Sequence, residues 1–171
     1  MGDIEKQFND GIDAIYNLVN KNQLNGLISL GRKLVSDILP KEKEYNNMTG
    51  NTVTSYAFGI YQNGKMIYFG TNNLPNPVTN KLKKGELFSG INYDGDYTDF
   101  RATIDTDGKY GKDTSYQFLR EYRPNTRSFA MVVTTGTEYS SYLENVRHLN
   151  VLSDSINNIP DEFTKSFKPI Q

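Results

Sequence analysis

The only histidine of the chain, His148, sits in "TGTEYSSYLENVRHLNVL" at 135–152, with two tyrosines, two glutamates and an arginine. A hydrolase of the Ser-His-Asp type would need this imidazole as its general base. No Gly-x-Ser-x-Gly elbow marks one serine as the nucleophile, so His148 reads as a surface or interface residue on a helix. Asp94, Asp96 and Asp99 in "NYDGDYTDF" have a spacing that paired carboxylates could use for acid–base chemistry. Asp-Gly is equally an ordinary turn, and no second carboxylate cluster stands opposite them in the sequence.

Metal chemistry fares no better. One histidine and no cysteine leave almost nothing for a nitrogen or sulfur site. The segment "IDTDGKYGKD" resembles a calcium loop when Gly108 takes the required glycine place, which sets Asp105 and Asp107 correctly. Thr103 and Thr114 then occupy the first and last ligand places, and the bidentate glutamate is missing, so a turn is expected. The glycines never fall into a phosphate-cradling pattern between a strand and a helix. The reading is therefore no catalytic residue, no metal and no cofactor.

Two small basic patches remain. Lys81, Lys83 and Lys84 form one, and Arg120, Arg123 and Arg127, with Tyr116 and Tyr122 among them, form the other. Both are candidates for non-specific contact with DNA phosphates or for contact between subunits. A formal charge of -1 over 171 residues gives no whole-molecule attraction to nucleic acid or to an anionic membrane. Absence of cysteine excludes disulfides and thiol chemistry, so stability must come from packing or partner subunits. No basic segment followed by an apolar run opens the sequence, and no stretch approaches roughly eighteen apolar residues. The expectation is a protein made and kept in a cytoplasm, without membrane contact.

The elements that must position these groups follow from periodicity. Phe8, Ile12, Ile15 and Val19, then Leu24, Leu27, Ile28, Leu34, Val35 and Ile38, recur in steps of three and four, which predicts a long amphipathic helix closed by Pro40. Asn20 to Gln23 and Gly26 make its middle a soft spot, leaving one helix or two in line. Asn63-Gly64 between β-branched and aromatic runs predicts an antiparallel hairpin, with strands near 52–62 and 65–70. Thr54, Tyr56, Phe58 and Ile60 are the expected buried face. Residues 72–127 show no sustained period and are expected as a long excursion from the sheet, with short strands near 100–104 and 115–122. "RSFAMVVTTG" predicts a buried strand, and the apolar residues from Tyr139 to Ile156 predict a helix with a Ser141-x-x-Glu144 capping box. Pro160 opens a last short helix bearing Phe163 and Phe167. The fold class is thus α+β: a long N-terminal helix on a small antiparallel sheet, an inserted arm at 72–127, and C-terminal helices, in one domain over 1–171.

A family pattern lies across these elements. A helix, a closing proline and "TGNTVTSY" leading into a hairpin resemble the tail-completion or head-tail joining proteins of tailed bacteriophages. Pro40, Thr49, Gly50 and Val53 take the places of that signature, with Val53 for the usual leucine and Tyr56 for the usual serine. "EYSSYLEN" is similar to its second half through Tyr139, Tyr142, Leu143 and Glu144, with Ser140 in order and serine replacing alanine; the Gly-Thr that commonly follows is lacking. The resemblance covers about 4–70 and 127–168 and leaves the intervening excursion unmatched.

The resemblance implies a virion structural protein, not an enzyme: a homo-oligomeric ring at the head-tail junction, between portal and tail, through whose opening DNA passes. Its partners would be copies of itself, the portal or adaptor protein and tail proteins. A tail terminator or minor tail protein satisfies the same pattern. A small hydrolase using Asp94, Asp96 or His148, and a host-interacting adaptor, are the readings from other classes.

Overall fold

The computed structural model describes residues 2–37, 50–72, 81–91, 96–137, 140, 145, 151–157 and 159–167. Helix α1 spans Gly2–Asp37 as one uninterrupted element, about 54 Å long at 1.5 Å per residue. The soft spot at Asn20–Gln23 does not break it. It marks a boundary instead, because residues 3–18 are all exposed and burial begins at Val19. Pro40 lies outside the described residues.

The first strand starts later than its β-branched pattern predicts. Asn51–Ser55 forms a short helix, α2, and strand β1 runs only over Ala57–Gln62. Gly50 adopts the left-handed conformation at φ 73°, turning the chain into α2. Thr54 donates its hydroxyl proton to the Gly50 carbonyl at 2.9 Å and lies 2.6 Å from the Gly108 carbonyl. This local bonding to the backbone competes with an extended conformation.

Strand β2, Lys65–Thr71, pairs with β1 through the expected hairpin, with Asn63 and Gly64 both at positive φ as a type I′ turn requires. The register slips between Ile60 and Tyr61, leaving Ile67 as an extra, exposed residue in β2. The two strands β3, Leu87–Ile91, and β4, Tyr97–Arg101, form a separate ribbon, in which Phe88 and Phe100 stack at 5.4 Å. Its base is tied by Gly85 N–H to the Ala102 carbonyl and Thr106 N–H to the Leu82 carbonyl. Beyond it the chain returns to the sheet. Lys109–Glu121 is helix α3, not a strand, and buries Gly111, Ser115 and Leu119. The stretch 72–127 is therefore an excursion in its first part and a layer of the core in its second.

Strand β5, Phe129–Thr134, completes a three-stranded sheet in the order β2-β1-β5. Its residues are half-buried because it is an edge of that sheet, whereas β1 holds the centre and is buried on both faces. Phe58 and Ile60 pack with Val35, Leu24, Leu27 and Ile28 of α1 on one face. Ala57 and Tyr61 pack with Leu119 of α3 on the other. The expectation of a single buried face is corrected by this second covering helix, against which Tyr61 donates its phenolic proton to the Leu119 carbonyl at 2.6 Å. Burial, then the nearby Tyr122, pushes the Tyr61 phenol above its ordinary pKa.

Two C-terminal helices close the chain: α4, Val151–Asn157, and α5, Ile159–Ser166, with Pro160 in its first turn as expected. Phe167 rests on α1 where Gly26 leaves room, since a Cβ there would overlap the ring. The glycine that weakens the helix in sequence terms is the notch that docks the C-terminus. Buried Glu162 pairs with Lys33 of α1 and, at 3.1 Å, with Lys165.

Those two ammonium groups, Lys33 first, hold the Glu162 carboxyl below its ordinary value of 4.5. A lowered folded pKa means the stabilisation is complete above the ordinary glutamate range and disappears as pH falls through the folded pKa. Wild type should therefore melt above Glu162→Gln near pH 7, with the difference vanishing in acid. Asp105 and Asp107 are also held low, so the comparison with the variant, not the wild-type profile alone, isolates this residue. Parallel melting curves of the two proteins across pH would refute the assignment.

Candidate functional site

The two halves of the sequence signature meet at one end of the main sheet. Ser55, at the end of α2, lies 2.6 Å from the Thr135 hydroxyl, which lies 2.6 Å from that of Ser140. Thr137 bonds the same Ser140 oxygen at 2.6 Å, and Ser115 of α3 donates to the Ser55 carbonyl. Ser55, Ser115 and Ser140 are buried. Each hydroxyl can donate once and accept twice, so the buried serines find partners in one another's neighbours and in the half-buried Thr135 and Thr137. "TGNTVTSY" and "EYSSYLEN" are thereby linked through Ser55, Thr135 and Ser140.

Among the described residues the bonded groups of this junction are hydroxyls and backbone carbonyls, with no carboxylate or amine to take a proton from a serine. Val53 is buried beside it and Gly50 supplies the left-handed turn before it. Asn72 adds a further tie by donating its amide to the Val53 carbonyl. Thr49, Tyr139, Tyr142, Leu143, Glu144 and His148 lie outside the described residues.

The carboxylates singled out for chemistry are spread among structural contacts. Asp99 accepts the Ser89 hydroxyl proton at 2.6 Å across the β3–β4 pair. Asp105 accepts the Lys84 backbone N–H at 2.9 Å and pairs with Lys83 at 3.1 Å. Asp107 accepts the Lys109 N–H at 2.9 Å, at the start of α3, where a negative charge is favoured by the helix dipole. The stretch compared with a calcium loop is thus the approach to a helix, its acids already engaged by cations and amides. Among the described residues no group of three or more possible metal ligands comes together. Asp96 is exposed just before β4, and Asp94 lies outside the described residues.

The two basic patches stay apart. Lys83 and Lys84 are tied to Asp105 ahead of α3, and Lys81 is exposed before them. Arg120 and Arg123 stand at the other end of α3, about 20 Å away along its 13 residues. Arg123 also has a local duty, donating to the Arg120 and Tyr122 carbonyls at 2.6 and 2.8 Å and so capping the helix. Arg120 and Arg127 are exposed. No single basic face gathers all six residues.

Among the described residues, a run of exposed apolar side chains lies elsewhere, on the first half of α1. Ile4 (79% exposed), Phe8 (67%), Ile12 (40%) and Ile15 (63%) form an apolar stripe, with Tyr16 and Leu18 on its flanks. Periodicity identifies these residues as helical and apolar, but gives no sign that the sheet stops short of them. No described helix is long and apolar enough to cross a membrane. Comparison with protein-family models, with curated proteins and with solved structures finds no significant match.

Proposed function

We propose that this chain is a structural subunit of a tailed-bacteriophage virion that works by self-assembly, forming a ring at the head-tail junction through which DNA passes. The observation that carries the reading is the exposed apolar half of α1, a surface larger than an isolated subunit needs and of the kind that marks a partner site. The hydroxyl junction is consistent with it, because it ties Ser55 of the segment 50–55 to Ser140, one described residue from each stretch that carries the resemblance. Copies of the chain are the first partners, with the portal or adaptor protein and tail proteins above and below. Arg120 and Arg127 offer salt-sensitive contact to passing phosphates.

The test is made on particles. Mass spectrometry of purified virions should find the protein at a fixed copy number per particle, and removing its gene should yield filled heads without attached tails. Complete, infectious particles that lack the protein would overturn the proposal.

A further inference from the structure

We infer that residues 4–19 of α1 form a helix-to-helix seam with the same segment of a second copy of this chain. The inference rests on the self-association proposed above and adds a pairing contact to it; a like-to-like seam closes on two copies, so the contact that runs around the ring is a separate one. Phe8, Ile12, Ile15 and Val19 are spaced four, three and four residues apart, the alternation that keeps a seam facing a partner helix. In that frame, from Phe8 to Val19, Asp10 and Asp13 fall on the outside, and the positions flanking the seam are Asn9, Gly11, Tyr16 and Leu18, all uncharged. Over this stretch two such helices meet without opposing like charges, while toward the N-terminus of α1 Ile4 flanks the seam and Glu5 takes the seam position.

The direction of the stripe excludes a simple overhang of the sheet. At about 100° per residue, its centre lies nearly half a turn from Leu24, Leu27, Ile28 and Val35, the residues that face the sheet. It is in line instead with Gly26 and Lys33, which take Phe167 and Glu162 of α5. The chain thus already places a helix on the second half of this face, and among the described residues none lies on the more apolar first half. Phe163, also exposed, extends the apolar surface on α5 beside Phe167.

The area suits a second copy. At about 200 Å² per large side chain, the exposed fractions of Ile4, Phe8, Ile12, Ile15, Tyr16 and Leu18 come to roughly 700 Å². Two copies bring together about 1,400 Å², within the usual range for a stable interface.

The absence of cysteine makes the test direct. In a parallel seam Ile12→Cys meets its counterpart, and in an antiparallel seam it faces Ile15, so oxidation should give a covalent dimer from Ile12→Cys alone in the first case and from mixed Ile12→Cys and Ile15→Cys chains in the second, whereas Asn17→Cys on the outer face should give none. In sedimentation, Ile12→Asp/Ile15→Asp should weaken self-association on the order of a hundredfold or more. Its subunit unfolding transition should stay unchanged, because both side chains are exposed within the subunit. An oligomer that survives the double substitution, with no disulfide-linked dimer from Ile12→Cys alone or mixed with Ile15→Cys, overturns the seam and leaves self-assembly standing. A wild-type chain that stays monomeric at high concentration overturns both. An α1-linked oligomer from a protein missing in virions supports the seam and removes the virion reading.

Discussion

Phe58→Ala is expected to lower the unfolding free energy by about 3–5 kcal/mol, the range for deleting a buried phenylalanine ring. Phe58 is fully buried on the central strand, where its ring meets α1 on one side and β2 on the other. At both contacts the neighbour is a glycine. A Cβ added to Gly31 of α1 or to Gly70 of β2 would overlap the ring. Tyr68 adds an aromatic contact at 5.8 Å. Because neither glycine has a side chain that could swing into the space, the cavity cannot collapse readily, which places the loss toward the upper part of the range. Urea denaturation should show a lower midpoint at unchanged slope. The double variant Phe58→Ala/Gly31→Ala should recover part of the loss, since the added methyl enters the vacated space. Strict additivity of the two changes would show that the ring and the glycine are not in contact.

Gly111→Ala should be destabilising by about 2 kcal/mol or more, although alanine is better than glycine in a helix by about 1 kcal/mol. Gly111 lies in the first turn of α3, and a Cβ there would collide with the backbone of Asn51 in α2. A carbonyl in a packed turn cannot rotate aside as a side chain can, so α2 and α3 would have to separate. That separation would strain the Ser115–Ser55 and Gly111–Asn51 bonds together. Gly11 of α1 provides the opposite case, since a Cβ there meets nothing within 4 Å. Gly11→Ala should therefore stabilise the helix by up to about 1 kcal/mol. If both substitutions shift the denaturation midpoint in the same direction, the close approach at Gly111 is wrong.

The elements whose type differs from expectation show why part of the fold is not legible in one dimension. Helix α3 leaves a weak signal because its buried face is Gly111, Ser115 and Leu119, only one of them a large apolar residue. Their four-residue spacing is present in the sequence, but small residues are buried by close approach and leave little hydrophobic period. The alternation in "YQFLREY" dominates instead. Helix α2 is hidden by β-branched residues, which favour strands on average and here yield to the Gly50 turn and the Thr54 back-bonds. Two carboxylates singled out in the sequence are engaged by contacts invisible there, Asp99 with Ser89 and Asp105 with Lys83.

Local patterns determined what depends on neighbours in the chain: the helical character of α1, the Asn63-Gly64 hairpin, the β5 segment, and the α+β class, while leaving open whether α1 was one helix or two. They also identified the apolar stripe of α1 and excluded disulfide and thiol chemistry. Tertiary structure alone decided that β1 would be covered on both faces and that two distant segments would meet through Ser55, Thr135 and Ser140. It decided, too, that the sheet would cover only the second half of α1. Periodicity records which side of a helix is apolar, but not how far a neighbouring surface extends. A 36-residue helix is about 54 Å long, whereas the six residues of β1 span roughly 20 Å, so the sheet reaches only part of α1, and Ile4, Phe8, Ile12 and Ile15, turned away from the sheet side, stay exposed.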